Sequence, residues 1–139
     1  IFCRQQLILK DSYCDMNKLF IAETDDTPEV NLDPEQGIFK ISKISVPENA
    51  LDFYRPVLEW IKAYAEDPIP KTVFDFNLEY VNTASSKQVI QVILLLQKVA
   101  EKSVVNVNWY YESIDEDMKA LGPRYKKLVS VPFELIEIE

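Results

Sequence analysis

The chain contains no histidine. Catalytic triads built on His and His-ligated metal sites are therefore excluded. Its two glycines, Gly37 and Gly122, are too few and too far apart to build a Gly-rich phosphate cradle. Both cysteines, Cys3 and Cys14, fall at the very start. No apolar run approaches the roughly 20 residues that a membrane-spanning helix needs. A secretory signal, with its basic, apolar and small-residue regions in order, is not present either. Positive charge is scarce: 15 Lys and Arg stand against 23 Asp and Glu, for a net charge of −8 and a pI near 4.6. Nucleic acid and anionic membrane surfaces are bound through an excess of Lys and Arg, so neither is expected as a partner. The expectation is a cytoplasmic protein. Its chemistry is confined to carboxylates, lysines, tyrosines and hydroxyls.

The residues that are present describe one folded unit. A length of 139 residues, 47% of them apolar and 12% aromatic, fits a single globular domain with a real core. The opening stretch IFCRQQLILKDSYCD looks foreign to the rest of the chain. Residues 1–15 read as a non-native or upstream extension, with Met16 the first plausible start. The domain proper is residues 16–139, and without the extension it holds neither Cys nor His.

Short apolar runs at Leu19–Ile21, Val30–Leu32 and Ile38–Ile41, separated by the turn sequences TDDTPE and DPEQG, predict three strands, the last two forming a hairpin. SVPENA signals a helix start, and Tyr54, Val57, Leu58, Ile61 and Tyr64 come after it at helical spacing, with Pro56 expected to kink or restart the helix. In VFDFNLEYV, Phe74, Phe76, Leu78 and Tyr80 alternate with Asp75, Asn77 and Glu79, the pattern of a strand with one buried face. QVIQVILLL then shifts to helical spacing, with Val89, Ile90, Ile93, Leu94 and Leu96 in the stripe. Val105, Val107, Trp109 and Tyr111 mark another half-buried strand. A short helix over Asp115–Leu121 is expected to stop at Gly122-Pro123, and Phe133–Ile138 makes the last strand.

Strand–helix–strand alternation in the second half predicts parallel pairing through crossovers. Polar residues alternate on one side of each long strand, so helices should cover mainly the other face. The expected architecture is an α/β two-layer sandwich, with a mixed sheet of five or six strands.

The junction NTASSK, residues 82–87, is the stretch the chain is organised around. It places Thr83, Ser85 and Ser86 at a helix start. A hydroxyl there is ordinarily a cap, contributing about 1 kcal/mol. That role does not compete with a switch, since one threonine can cap in one state and carry phosphate in another. A phosphate would add about −1.5 to −2 charge and be favoured by the helix dipole by an energy of order 1 kcal/mol. Lys87, four residues on, could partly offset it, although a solvated lysine is the ordinary reading.

Other conspicuous groups have plainer roles. Trp109, Tyr110 and Tyr111 suggest a nucleobase platform, but alternation sends Tyr110 to the opposite face from the other two. Asp115, Glu116 and Asp117 read as a helix start capped by Ser113 or Asp115, in preference to a cation site. Asp75, Asn77 and Glu79 read as the wet face of the central strand, a weak acid/base set. Thr24, Asp25, Asp26 and Thr27 form a turn, or a recognition loop on the junction's side of the sheet.

Taken together, TDDTPE, VPENALDFYRPVLEW, LEYVNTASSK, VNWYYESIDEDM and VPFELIEI resemble the bacterial SiaC family of biofilm-regulation phosphoproteins. The resemblance runs from about Met16 to the C-terminus. It implies a fold like that of the STAS-type anti-sigma-factor antagonists. It also implies a threonine in the N-T-[SA]-S junction, here Thr83, phosphorylated by a dedicated serine/threonine kinase and dephosphorylated by a metal-dependent phosphatase. The unphosphorylated form is expected to bind and activate a diguanylate cyclase, in cyclic-di-GMP and biofilm signalling. Ser85 and Ser86 stay open as alternative acceptors. Asn82, Thr83, Ala84, Ser85, Ser86 and Lys87, with Thr24, Asp25, Asp26 and Thr27, are the expected partner-binding residues. No catalytic residue, metal, cofactor or small-molecule substrate is expected. A small carboxylate-dependent enzyme and a plain scaffolding subunit are the alternative classes.

Overall fold

The computed structural model describes residues 18–139, so the expected extension, residues 1–15, lies outside the described residues, as does Met16. Among the described residues, six strands and three helices follow one another as β1 (Leu19–Ile21), β2 (Glu29–Asp33), β3 (Ile38–Ser45), α1 (Ala50–Tyr64), β4 (Lys71–Val81), α2 (Thr83–Val99), β5 (Val104–Glu112), α3 (Glu116–Lys126) and β6 (Phe133–Ile138). They form one sheet whose spatial order is the order of the chain. Strands β1, β2 and β3 pair antiparallel, and β3 through β6 pair parallel. The hairpin between β2 and β3 turns at Gly37, whose φ of 71° is open to glycine at no steric cost.

Each parallel step carries one helix, and all three steps run the same way across the sheet, so crossovers of one hand put the helices on one face. Burial agrees with that layering. Tyr54, Val57 and Ile61 of α1 and Val89, Val92, Ile93, Leu96 and Val99 of α2 pack against Ile41, Phe74, Phe76, Val107 and Trp109, all buried. On the sheet's other face, Lys40, Asp75, Asn77, Asn106, Asn108 and Tyr110 are only half-buried. The chain is an α/β two-layer sandwich with a mixed six-stranded sheet.

Four local expectations need correction. Helix α1 runs as one element through Pro56, which lies on its exposed side, so it does not restart there. Helix α3 likewise continues through Gly122-Pro123 to Lys126. Its contact with the sheet is very close at Gly122, where an added Cβ would lie 2.6 Å from Leu135 Cδ2 and 2.7 Å from Trp109 Cδ1. Burial of Met118, Gly122 and Tyr125 along one face carries the helix past the proline. On α2 the buried stripe is narrower than its apolar residues, leaving Ile90 half-buried and Leu94 exposed.

The fourth correction bears on the junction. Pairing of β3 with β4 slips between Lys43 and Ile44, where Lys43 pairs with Leu78 but Ile44 with Tyr80. The extra residue, Glu79, reverses the alternation beyond it. Tyr80, expected inside with Phe74, Phe76 and Leu78, is 50% exposed, while Val81 turns inward at 8%.

Candidate functional site

Helix α2 begins directly where β4 ends. Asn82 is its N-cap, in extended backbone, and its Oδ1 accepts from the Ser85 N–H at 2.8 Å. Neither a serine nor the threonine is therefore the cap. Thr83 is the first helical residue and is exposed, as are Ala84 and Lys87. The first turn of α2 carries no acidic residue, whereas α1 has Asp52 there and α3 has Glu116 and Asp117. The positive end of α2 thus lacks the carboxylate that complements the other two helices.

The two serines face away from Thr83, each into a clamp. Ser85 is fully buried, and its Oγ accepts from Ser45 Oγ at 2.9 Å. Ser45 Oγ also pairs with the Tyr54 hydroxyl at 2.7 Å, so a buried hydroxyl chain ties α2 to β3 and α1. Burial of the Tyr54 phenol pushes its pKa up to about 12, only partly opposed by the Ser45 hydrogen bond. Ser86 is half-buried, and its Oγ pairs with the Tyr125 hydroxyl of α3. Burial raises the Tyr125 pKa as well, against the lowering effect of that bond. Both clamps therefore hold neutral phenols, and the frame under Thr83 keeps its charge state across the ordinary pH range.

Ser85, expected among the alternative acceptors and the docking residues, is out of reach of any enzyme or partner in the folded chain. Ser86 is hindered by its bond to Tyr125. Only Thr83 offers an exposed hydroxyl in the junction.

The loop at Thr24–Thr27 sits beside this site. Thr24 Oγ1 accepts from the Asp26 and Thr27 N–H groups at 3.2 and 3.0 Å, a locally closed turn. Consecutive residues at the exit of β3 hold loop and junction together: the Val46 N–H donates to Asp26 O at 2.7 Å, and the Asn82 N–H donates to Ser45 O at 3.1 Å. Thr24, Asp25 and Asp26 are exposed, and Thr27 is half-buried.

The remaining candidates take their plainer roles. Trp109 is fully buried and donates its indole N–H to Met118 O at 2.9 Å, which removes it from any nucleobase platform. Asp115 caps α3 by accepting from the Met118 N–H at 3.1 Å. Asp75 accepts from Asn108 Nδ2 at 2.9 Å on the open sheet face. A crevice of about 220 Å³ does bring Glu79, Glu112 and Asp115 together with Asn77 and Tyr111, a grouping that the linear order hid. Sequence reasoning also missed Ser45, Tyr54 and Tyr125. Only their hydroxyls signalled a role, and no spacing links residues 39 or 40 positions apart.

Fold and site define a small α/β domain with an exposed threonine opening its second helix. Residues 21–138 match the family model of the SiaC family regulatory phosphoproteins, and the chain belongs to that family. An uncharacterized protein of Pseudomonas aeruginosa strain UCBPP-PA14 is 26% identical over 121 residues, covering 86% of this chain and 96% of that protein. The structure of SiaC of Pseudomonas aeruginosa is similar with a TM-score of 0.79 at 25% identity, over 88% of this chain and all of that one. The crystal structure of the diguanylate cyclase SiaD in complex with its activator SiaC, from the same organism, matches with a TM-score of 0.79 at 25% identity, over 86% of this chain and 99% of that chain.

Proposed function

We propose that this protein is a non-enzymatic, phosphorylation-controlled switch that binds and activates a diguanylate cyclase while Thr83 is unmodified. The observation that carries the reading is the exposed Thr83 at the uncomplemented positive end of α2. Similarity to the SiaC chain of the SiaD complex supplies the class of partner. A kinase adds the phosphate and a metal-dependent phosphatase removes it. The dianion, with its hydration shell, then occupies the surface where the cyclase docks. The fold persists, because the clamps beneath hold α2 whether or not the threonine is charged.

Mass analysis of the protein from its own cells, before and after phosphatase treatment, should place phosphate on the Thr72–Lys87 fragment. Unmodified protein and Thr83→Ala should bind the cyclase, and Thr83→Glu should not. Equal binding by Thr83→Ala and Thr83→Glu would end the reading. The crevice lined by Glu79, Glu112 and Asp115 favours the carboxylate-enzyme alternative. That alternative predicts a hydrolytic or isomerising activity lost in Glu112→Gln and retained in Thr83→Ala.

A further inference from the structure

Helices α1 and α2 pack side by side, and both start at the end of the sheet where β3 and β4 finish. A groove of about 340 Å³ lies between their first turns, lined by Glu48, Asn49, Ala50, Leu51, Ala84, Lys87 and Gln88. Its walls differ in character. Leu51 projects from α1 at 64% exposure, an apolar side chain that nothing in the fold covers. Gln88, on the α2 side, is only 9% exposed; among the described residues no protein group bonds its side-chain amide, which stays open to the groove's solvent. Water in the groove is the only partner left to an amide set so deep in its wall, and a ligand can take the place of that water. One turn before it stand Ala84 and Thr83, and beside it Lys87.

We infer that this groove receives a segment of the protein partner carrying an acidic side chain next to an apolar one. The carboxylate meets the Gln88 amide N–H and the Lys87 ammonium, within the field of the two helix N-termini. The apolar neighbour covers Leu51, Ala50 and Ala84. Charge complementarity selects an acid over a base on the α2 wall, since that wall holds a lysine and no carboxylate; Glu48, the single acid in the lining, belongs to the α1 side. The inference rests on the proposed function and supplies a mechanism for it. Phosphate on Thr83 would stand beside the groove, repelling the partner's carboxylate and competing for the same positive field.

The test is calorimetric titration of the cyclase with unphosphorylated protein and surface variants. Leu51→Asp and Lys87→Glu should each weaken binding about tenfold or more, as for buried anchors and paired charges at an interface centre. Gln88→Leu should do the same while keeping its packing volume. Glu48→Gln should tighten binding, because it removes the one charge that opposes an acidic visitor. Leu128→Asp, on a comparably exposed leucine after α3, should bind as the wild type does. If wild-type protein binds and Thr83→Glu does not, while Leu51→Asp and Lys87→Glu bind normally, the groove assignment fails and the switch stands. Loosened binding in Glu48→Gln would make the visitor basic and overturn its chemistry. Wild-type protein that leaves the cyclase unbound overturns both readings. Self-association abolished by Leu51→Asp would replace the partner with a second copy.

Discussion

Replacing Thr83 by Glu should separate stability from binding, because the two respond in opposite directions. Among the described residues, the Thr83 side chain makes no hydrogen bond, and it is exposed. Removing its hydroxyl therefore removes no contact, and Thr83→Ala should fall within about 0.7 kcal/mol of wild type, on the stabilising side through helix propensity. A glutamate at the same position adds a charge to a helix end that has none, which contributes about 0.3–1 kcal/mol. For a domain of this size, about 1 kcal/mol raises the melting temperature by about 4 °C. Phosphothreonine should move stability in the same direction. Thermal denaturation followed by far-ultraviolet circular dichroism, in low salt, reads the first effect, and titration of the cyclase reads the second. The expected result is a Thr83→Glu protein at least as stable as wild type that no longer binds. Adding salt should erase the stability gain, since a surface charge near a dipole is screened. A Thr83→Glu protein that melts several degrees lower would mean that the loss of binding reflects damage to the fold, and the reasoning would fail.

Ser45→Ala should cost about 2 kcal/mol in urea unfolding, because Tyr54 and Ser85, both fully buried, each lose the same hydrogen-bond partner. Asn82→Ala should cost about 1 kcal/mol by uncapping α2, and phosphate on Thr83 should recover part of that loss. Gly122→Ala should destabilise by about 1 kcal/mol: overpacking against Trp109 and Leu135 outweighs the gain in helix propensity, and near-ultraviolet dichroism of the tryptophan should change. Stability should also fall in alkali. Tyr54 holds its proton up to about 12 when folded, against an ordinary value near 10, so its contribution is complete below pH 10 and is lost as pH rises toward 12. Tyr64 and Tyr125 are shifted the same way, also through burial. Tyr54→Phe should flatten that alkaline slope, and an unchanged slope would show that the phenol is not buried as described.

Much of the architecture was legible because periodicity is a local property. The two-residue alternation of Phe74, Phe76 and Leu78, and the helical recurrence of Val89, Ile93 and Leu96, reported strand and helix without knowledge of any neighbour. Strand–helix–strand alternation implied parallel pairing, and turn chemistry placed the hairpin. The sequence alone also located the junction, since hydroxyls and Asn between a strand and a helix mark a helix start wherever they occur. What it did not determine was which hydroxyl faces water. Thr83, Ser85 and Ser86 differ little in chemistry. Their exposures were set by Ser45 and Tyr54 on one side and Tyr125 on the other, residues remote in the chain.

The tertiary structure likewise decided where Tyr80 points and that α3 survives Pro123. A one-residue slip in pairing between β3 and β4 reverses every side chain beyond it, and no pattern within β4 announces it. Proline and glycine oppose a helix only by amounts of a few kcal/mol, which burial against Trp109 and Leu135 can offset. Elements follow from spacing along the backbone. Exposure, and with it the capacity to be modified or to dock, follows from contacts between segments that only the folded chain brings together.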